Sequence, residues 1–448
     1  MSLLFFVSFS LISVRLSAQV ITRLEVSSMS GYNSIIQDWK QDLSIGYTEN
    51  EEGAECSFIL FQADSLILKV ATLPVGCRVT DFKIIRDSVF FCGVAGSTNM
   101  GIVGCADINV LFSLYTNVHI GVLPPIISPT STASYVTCPR HMDVFDYNGE
   151  THIIFVGEMV SSVSTVTTTL GEAIWNSVLG WTSTLYDNIS GDMIYSDVAA
   201  GGNYVTVTAK SNTSENYYVL VFKKSNNTLY TPLNSGSIFE MQGDAPVGDI
   251  MVTYLESNEF ALAYHYVDEE HNETGVDVQS FKVQPISLSI TVNRWLKTPL
   301  GGVSYYTPSW KMTQLSYDSQ HQLLWLLHYA ANVVVPSLES SLFIYDMTNI
   351  SVSYVNAEYT PGVVMEMMDV VSAGGCWTIG RELGVLQLSK EVIGAVGTCR
   401  SGYTLPYGVG IGSSVVTPYV NNFLGPFISD IAIYPTISYP EIEVQCAE

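Results

Sequence analysis

A pattern that recurs seven times, at intervals of 46 to 64 residues, constrains the fold of this chain more than any other feature. Each copy contains an apolar run, a short polar turn and a second alternating run. Examples are residues 57–61 turning at Ala63 and Asp64 into 66–73, 101–104 into 110–114, 173–175 into 180–185, and 218–222 into a run at Leu229. Three further copies join 276–283 to 286–292, 342–345 to 350–354, and 385–388 to 392–396. Upstream of these hairpins an Asp opens a short apolar stretch that turns into another strand-like run, at Asp81, Asp143, Asp197, Asp249 and Asp369, with Gln314 in the sixth copy. In the first copy only the second of these strands is legible, at residues 43–47. Each unit therefore reads as four short strands, and no long stretch has the 3.6-residue period of a helix.

Four-stranded units repeated seven times, about 56 residues apart, predict an all-β chain folded as a β-propeller with seven four-stranded blades. Six blades with an appended C-terminal domain is the alternative. The expected organisation is a signal peptide at 1–18, a propeller ring at 19–396 and a tail at 397–448 packed irregularly on the ring. The strand-like residues 20–26 are placed to join the last blade and close the ring. The threonine- and serine-rich residues 161–169 read as an excursion from the third unit.

Only 13% of residues are charged, and the balance is strongly acidic, with a formal net charge of −24. Such a surface repels phosphate backbones, so nucleic acid and anionic membranes are excluded as partners. Residues 3–14 form an apolar run that ends at the small residue Ala18, in the manner of an export signal, although no basic residue precedes the run. No other segment approaches the 18 apolar residues a membrane helix requires, so a mature chain without a transmembrane segment is expected, secreted, periplasmic or at the cell surface, as a monomer.

Eight cysteines without a C-x-x-C pair speak against zinc and iron–sulfur sites, and export permits disulfides. Cys92 with Cys105, and Cys399 with Cys446, are the candidate bridges. For Cys92 and Cys105 the competing reading is a pair of small buried hydrophobes in strands.

Signatures of nucleophilic, phosphate-binding and metalloprotease chemistry are absent. The recurring Asp81, Asp143, Asp197, Asp249 and Asp369 have two readings: acceptors for backbone N–H groups between blades, or a shared axial cation site for which calcium is the expected occupant. No other cofactor is expected. Tyr305, Tyr306 and Trp310, entering the sixth unit, and Tyr359, entering the seventh, are candidates to stack on a sugar or anchor a protein. Residues 265–273, with His265, Asp268, His271 and Glu273, read as a solvated loop or a metal site.

The stretch from Val79 to Gly93, with Gly101 to Gly104 after it and the ending Ile442 to Cys446, resembles secreted β-propeller proteins of the Bacteroidetes. The resemblance covers most of the chain and implies the fold and export; that group has no assigned activity. The expected function is an exported, non-catalytic binding or scaffold module for a glycan or protein outside the cytoplasm. The alternative is a propeller enzyme acting on polysaccharide or peptide, its carboxylates drawn from separate loops.

Overall fold

The computed structural model describes the chain in segments between residues 21 and 445, with side chains mostly between 76 and 301; residues 1–20, 302–310, 359–362, 393–400 and 405–413 are among those it does not describe. The all-β expectation holds. Strand β1 (Ile21–Glu25) is followed by the first sheet, β2 (Ser34–Lys40), β3 (Leu43–Glu49), β4 (Cys56–Gln62) and β5 (Ile67–Thr72). The second sheet is β6 (Cys77–Ile85), β7 (Ser88–Ala95), β8 (Met100–Asp107) and, after the one-turn helix α1 (Ile108–Leu111), β9 (Thr116–Val122). The short β10 (Ile126–Ile127) flanks the third sheet, β11 (Ser134–Tyr147), β12 (Glu150–Ser161), β13 (Val166–Asn176) and β14 (Gly180–Tyr186).

The fourth sheet is β15 (Met193–Gly201), β16 (Tyr204–Ser211), β17 (Tyr217–Lys224) and β18 (Leu233–Glu240). The fifth is β19 (Ala245–Tyr254), β20 (Glu259–Asp268), β21 (Glu273–Val283) and β22 (Ile290–Gly301). The sixth is β23 (Lys311–Asp318), β24 (Leu323–Ala331), β25 (Leu338–Asp346) and β26 (Ser353–Glu358). The last, among the described residues, has three strands, β27 (Val363–Val371), β28 (Gly375–Glu382) and β29 (Val385–Val392). Within every sheet the strands pair antiparallel in chain order.

One irregularity recurs at the same place in all seven sheets. The first and second strands slip register at Asp38/Lys40, Val79/Asp81, Pro139/His141, Tyr195/Asp197, Val247/Ile250, Met312/Gln314 and Met365/Met367. Such a bulge adds a residue to one strand, deepens the twist and re-aims the side chains beyond it. Gly93 and Gly157 lie opposite the bulges of β6 and β11, where a Cβ would run into the carbonyl oxygens of Arg78 and Cys138.

The core lies between successive sheets. Phe58 of the first sheet meets Phe82 of the second edge to face, with ring centroids 5.5 Å apart, and similar apolar clusters fill the second-to-third through fifth-to-sixth spaces. The second to fifth sheets each contribute to two of these clusters, one on either face, so none of them can bury itself alone. The first strands lie against one another in succession, β6 on β11, β11 on β15, β15 on β19, β19 on β23 and β23 on β27, while β2 touches both β6 and β27.

The tail differs from the irregular packing expected of it. It supplies β30 (Ser401–Thr404), β31 (Ser414–Val416), β32 (Val420–Asn421), β33 (Phe427–Ile433), β34 (Pro435–Ser438) and β35 (Glu441–Gln445). These pair in turn with β26, β18, β14, β9, β5 and β1, so the tail visits the outer edges of the sheets in reverse order. Strand β1 also lies alongside β29. Among the described residues the fifth sheet receives no such strand, and its outer strand β22 carries Lys297 and Pro299, residues that discourage edge pairing.

Two further expectations need correction. Residues 110–114 are not the closing strand of the second unit: Ile108–Leu111 form α1, Asp107 caps it by accepting the Asn109 N–H at 2.8 Å, and the strand begins at Thr116. Of residues 161–169, Ser161 ends β12 and 166–169 open β13, so the described part of that stretch is strand, while 162–165 lie outside the described residues.

Candidate functional site

Three of the five recurring aspartates, Asp81, Asp143 and Asp197, lie on the first strands with carboxylates that meet backbone donors of the next sheet. The Met142 N–H donates to Asp81 Oδ2, the Ala200 N–H to Asp143 Oδ2 and the Val252 N–H to Asp197 Oδ2, each at 2.8 Å. Asp143 and Asp197 also accept the N–H of the residue that follows them, Val144 and Val198, at 2.8 Å. The sequence separations of the three inter-sheet bonds, 61, 57 and 55 residues, match the repeat period, so each carboxylate ties one unit to the next.

A threonine hydroxyl accompanies each tie, and sequence reasoning missed all three. Thr80 donates to the Pro139 carbonyl at 2.8 Å, and Thr208 to the Ile250 carbonyl at 2.6 Å. Thr168 donates to the Met193 carbonyl at 2.9 Å while accepting the Tyr195 N–H at 3.0 Å. The available signal was weak, because Thr is common on strands everywhere.

Position relative to the bulge decides which aspartates take part. Asp81 and Asp197 stand directly after the extra residue and Asp143 two further on, which keeps all three on one face of their strands. Asp249 falls inside the bulge of β19 instead, and is exposed. Asp369 stands on β27 opposite Trp377, and its side chain lies outside the described residues. Among the described residues no three His, Cys, Asp or Glu side chains form a group able to hold a metal.

Burial pushes the Asp81 carboxyl up to about 6, against the pull of Lys83 and His141, and pushes Asp197 upward as well. Cys92 lies beneath Asp81 in register, and burial drives its thiol upward. Cys92 and Cys105 sit on neighbouring strands two register positions apart, opposite Val103 and Phe90, and both fill the cluster between the second and third sheets as thiols. Cys399 and Cys446 lie outside the described residues, as do Tyr305, Tyr306, Trp310 and Tyr359.

A second polar group occupies the space between the third and fourth sheets. His152 Nδ1 lies 2.6 Å from Glu172 Oε1, its ring stacks on Phe145, and Lys224 Nζ sits 3.7 Å from the centre of the Phe145 ring while donating to the Gly202 carbonyl. Burial pulls Lys224 down to about 8, with Asp143 and Glu172 resisting. On the surface nearby, Arg86 of the second sheet pairs with Asp146 of the third at 2.6 Å, and the Thr151 hydroxyl donates to the same carboxylate.

The histidine-bearing loop resolves into a tight turn between β20 and β21. Asp268 accepts the His271 N–H at 3.0 Å and meets its Nδ1 at 2.7 Å, while Lys297 stands 3.8 Å from Asp268 and 3.6 Å from Glu273. His265 points into the protein, where burial lowers it to about 4 and keeps it neutral at ordinary pH.

Compared with known proteins, the chain matches no family model and no curated protein. Among the described residues no helix is long and apolar enough to cross a membrane.

Proposed function

We propose that this chain is an exported, non-catalytic binding or scaffold protein, built as a closed propeller of seven blades, whose ligand is a glycan or a protein outside the cytoplasm. Closure is supported by the succession of first-strand contacts, which returns from β27 to β2, and by the β1–β35 ribbon beside β29. In this reading the last blade is completed by the two ends of the chain.

The observation that carries the functional half is the use made of the buried carboxylates. Asp81, Asp143 and Asp197 hold the backbone of a neighbouring sheet, and Glu172 holds His152. A glycosidase instead needs two carboxyl groups facing a shared cleft roughly 5 to 10 Å apart, free to exchange protons with substrate. A ring in which these four carboxylates are committed to structure leaves its surface for binding.

The test is to pass the purified chain over panels of polysaccharides and surface proteins while assaying for soluble products. Retention without product supports the proposal. Catalytic release of oligosaccharide or peptide, abolished by replacing one carboxylate, overturns it in favour of an enzyme. Counting sheets by electron cryomicroscopy tests the ring, and N-terminal sequencing of the exported chain tests cleavage before Gln19.

A further inference from the structure

The tail covers the outer edges of the sheets in an order with one gap. Strand β30 adds to the sixth sheet and β31, next in the chain, to the fourth, while the fifth sheet, which packs between them, keeps β22 as an open edge among the described residues. Residues 405–413, which join β30 to β31, lie outside the described residues. Their two anchors constrain the route. Packed sheets stand about 10 Å apart at their closest, and two such spaces separate the fourth sheet from the sixth, whereas the link from Thr404 to Ser414 reaches about 33 Å at full extension. Little slack is left for a detour.

We propose that residues 405–413 dock on the outer edge of β22 as its antiparallel partner, so that the tail passes no sheet between the sixth and the first without pairing. Their sequence supports this. Tyr407, Val409 and Ile411 alternate strictly with Gly408, Gly410 and Gly412, which is the period of a strand, and Pro406, with no N–H to give, stands ahead of the alternating run. All six described tail strands pair antiparallel with the strands they meet.

The edge of β22 can accept a strand over most of its length. From Ile290 to Thr298 it holds no proline, and Pro299 comes only near its end. Lys297 is drawn back onto its own sheet, 3.8 Å from Asp268, 3.6 Å from Glu273 and 4.3 Å from the centre of the Tyr266 ring. Ile290 and Val292 pack on the cluster between the fourth and fifth sheets but stay half-buried, leaving apolar surface for an added strand to cover. A second copy of the chain is the rival occupant. Two chains of formal charge −24 repel each other, and a segment tethered at both ends is held beside the edge at an effective concentration that a free partner lacks.

The experiment is hydrogen exchange of the full chain, read residue by residue by mass spectrometry with electron-transfer fragmentation. The expected result is that β22 amides pointing away from β21 are protected as well as those pointing toward it, and that alternate amides within 405–413 are protected too. Fast exchange at every second residue of β22 overturns the proposal, because the edge is then open. Protection of β22 without protection of 405–413 also overturns it, and loss of that protection on dilution would identify a second copy as the occupant. Val409→Pro and Gly410→Pro supply a second measurement. Neighbouring N–H groups on a strand point opposite ways, so one of the two variants removes a donor that faces β22 whatever the register. That variant should speed exchange of the outward β22 amides by about tenfold, with β20 unchanged. If neither variant alters β22, the proposal is overturned.

Discussion

A carboxylate that accepts two N–H groups from two different sheets ties them together without a covalent bond. Removing it strands both donors in a space that water does not reach, and the cost is their desolvation. Asp197→Ala is therefore expected to lower stability by about 1 to 3 kcal/mol, and Asp197→Asn by less, since the amide oxygen still meets Val252 or Val198. Denaturant unfolding of the three proteins checks the order, and equal losses for Ala and Asn would show that the hydrogen bonds are not what matters. His271 is a different case, because it is exposed and its pairing is with a turn. The Asp268 hydrogen bond raises its titration above the ordinary value of 6.5, so the stabilisation is present below 6.5 and fades as pH rises through the folded value. A nuclear magnetic resonance titration should find His271 protonating above an unfolded-chain histidine, and Asp268→Asn should bring it back.

The bulge shared by every first strand is the element that organises the site, and it was only half legible beforehand. The repeated aspartates marked where it stands, because an Asp after a turn-like irregularity is a recurrent device for holding backbone. Asp249 shows the limit of that reading: one residue of displacement moves a side chain to the other side of a strand, and single-sequence alignment cannot resolve one residue. The four-strand unit itself was legible, since strand alternation and turns carry their own periodicity. Its fourth strand was the least so, as the helix at Ile108–Leu111 shows, where apolar residues one turn apart imitate a short strand. Gly157 faces the bulge of β11 with no space for a methyl group against the Cys138 carbonyl. Gly157→Ala should destabilise by about 1 to 3 kcal/mol or abolish soluble expression, whereas Gly149→Ala, in open space at a turn, should be limited by its positive φ alone. Thermal melts of the two variants make the comparison.

At the scale of the molecule, the tail matters out of proportion to its length. Its strands cover outer edges that otherwise present unpaired N–H and C=O groups to other chains. Deleting residues 397–448 should lower the melting temperature and produce concentration-dependent association visible by size-exclusion chromatography. A truncated chain that stays monomeric and equally stable would show that the edges are protected by other means. Glycine- and proline-rich composition concealed this role, because the added strands are two to seven residues long and too short to show alternation.

The reversed order in which the tail visits the sheets also sets a schedule. A chain emerging from its N-terminus completes the second sheet long before β33 exists to cover it, and β1 waits for the last residues of all. With synthesis at about 5 to 20 residues per second, residues 397–448 take on the order of seconds to appear, during which the earlier edges stand open. Pairings this distant in sequence are slow to form once both partners are present. The most hazardous interval in the synthesis of this chain is therefore the one before residues 401–445 emerge, when a chaperone must stand in for the strands they supply.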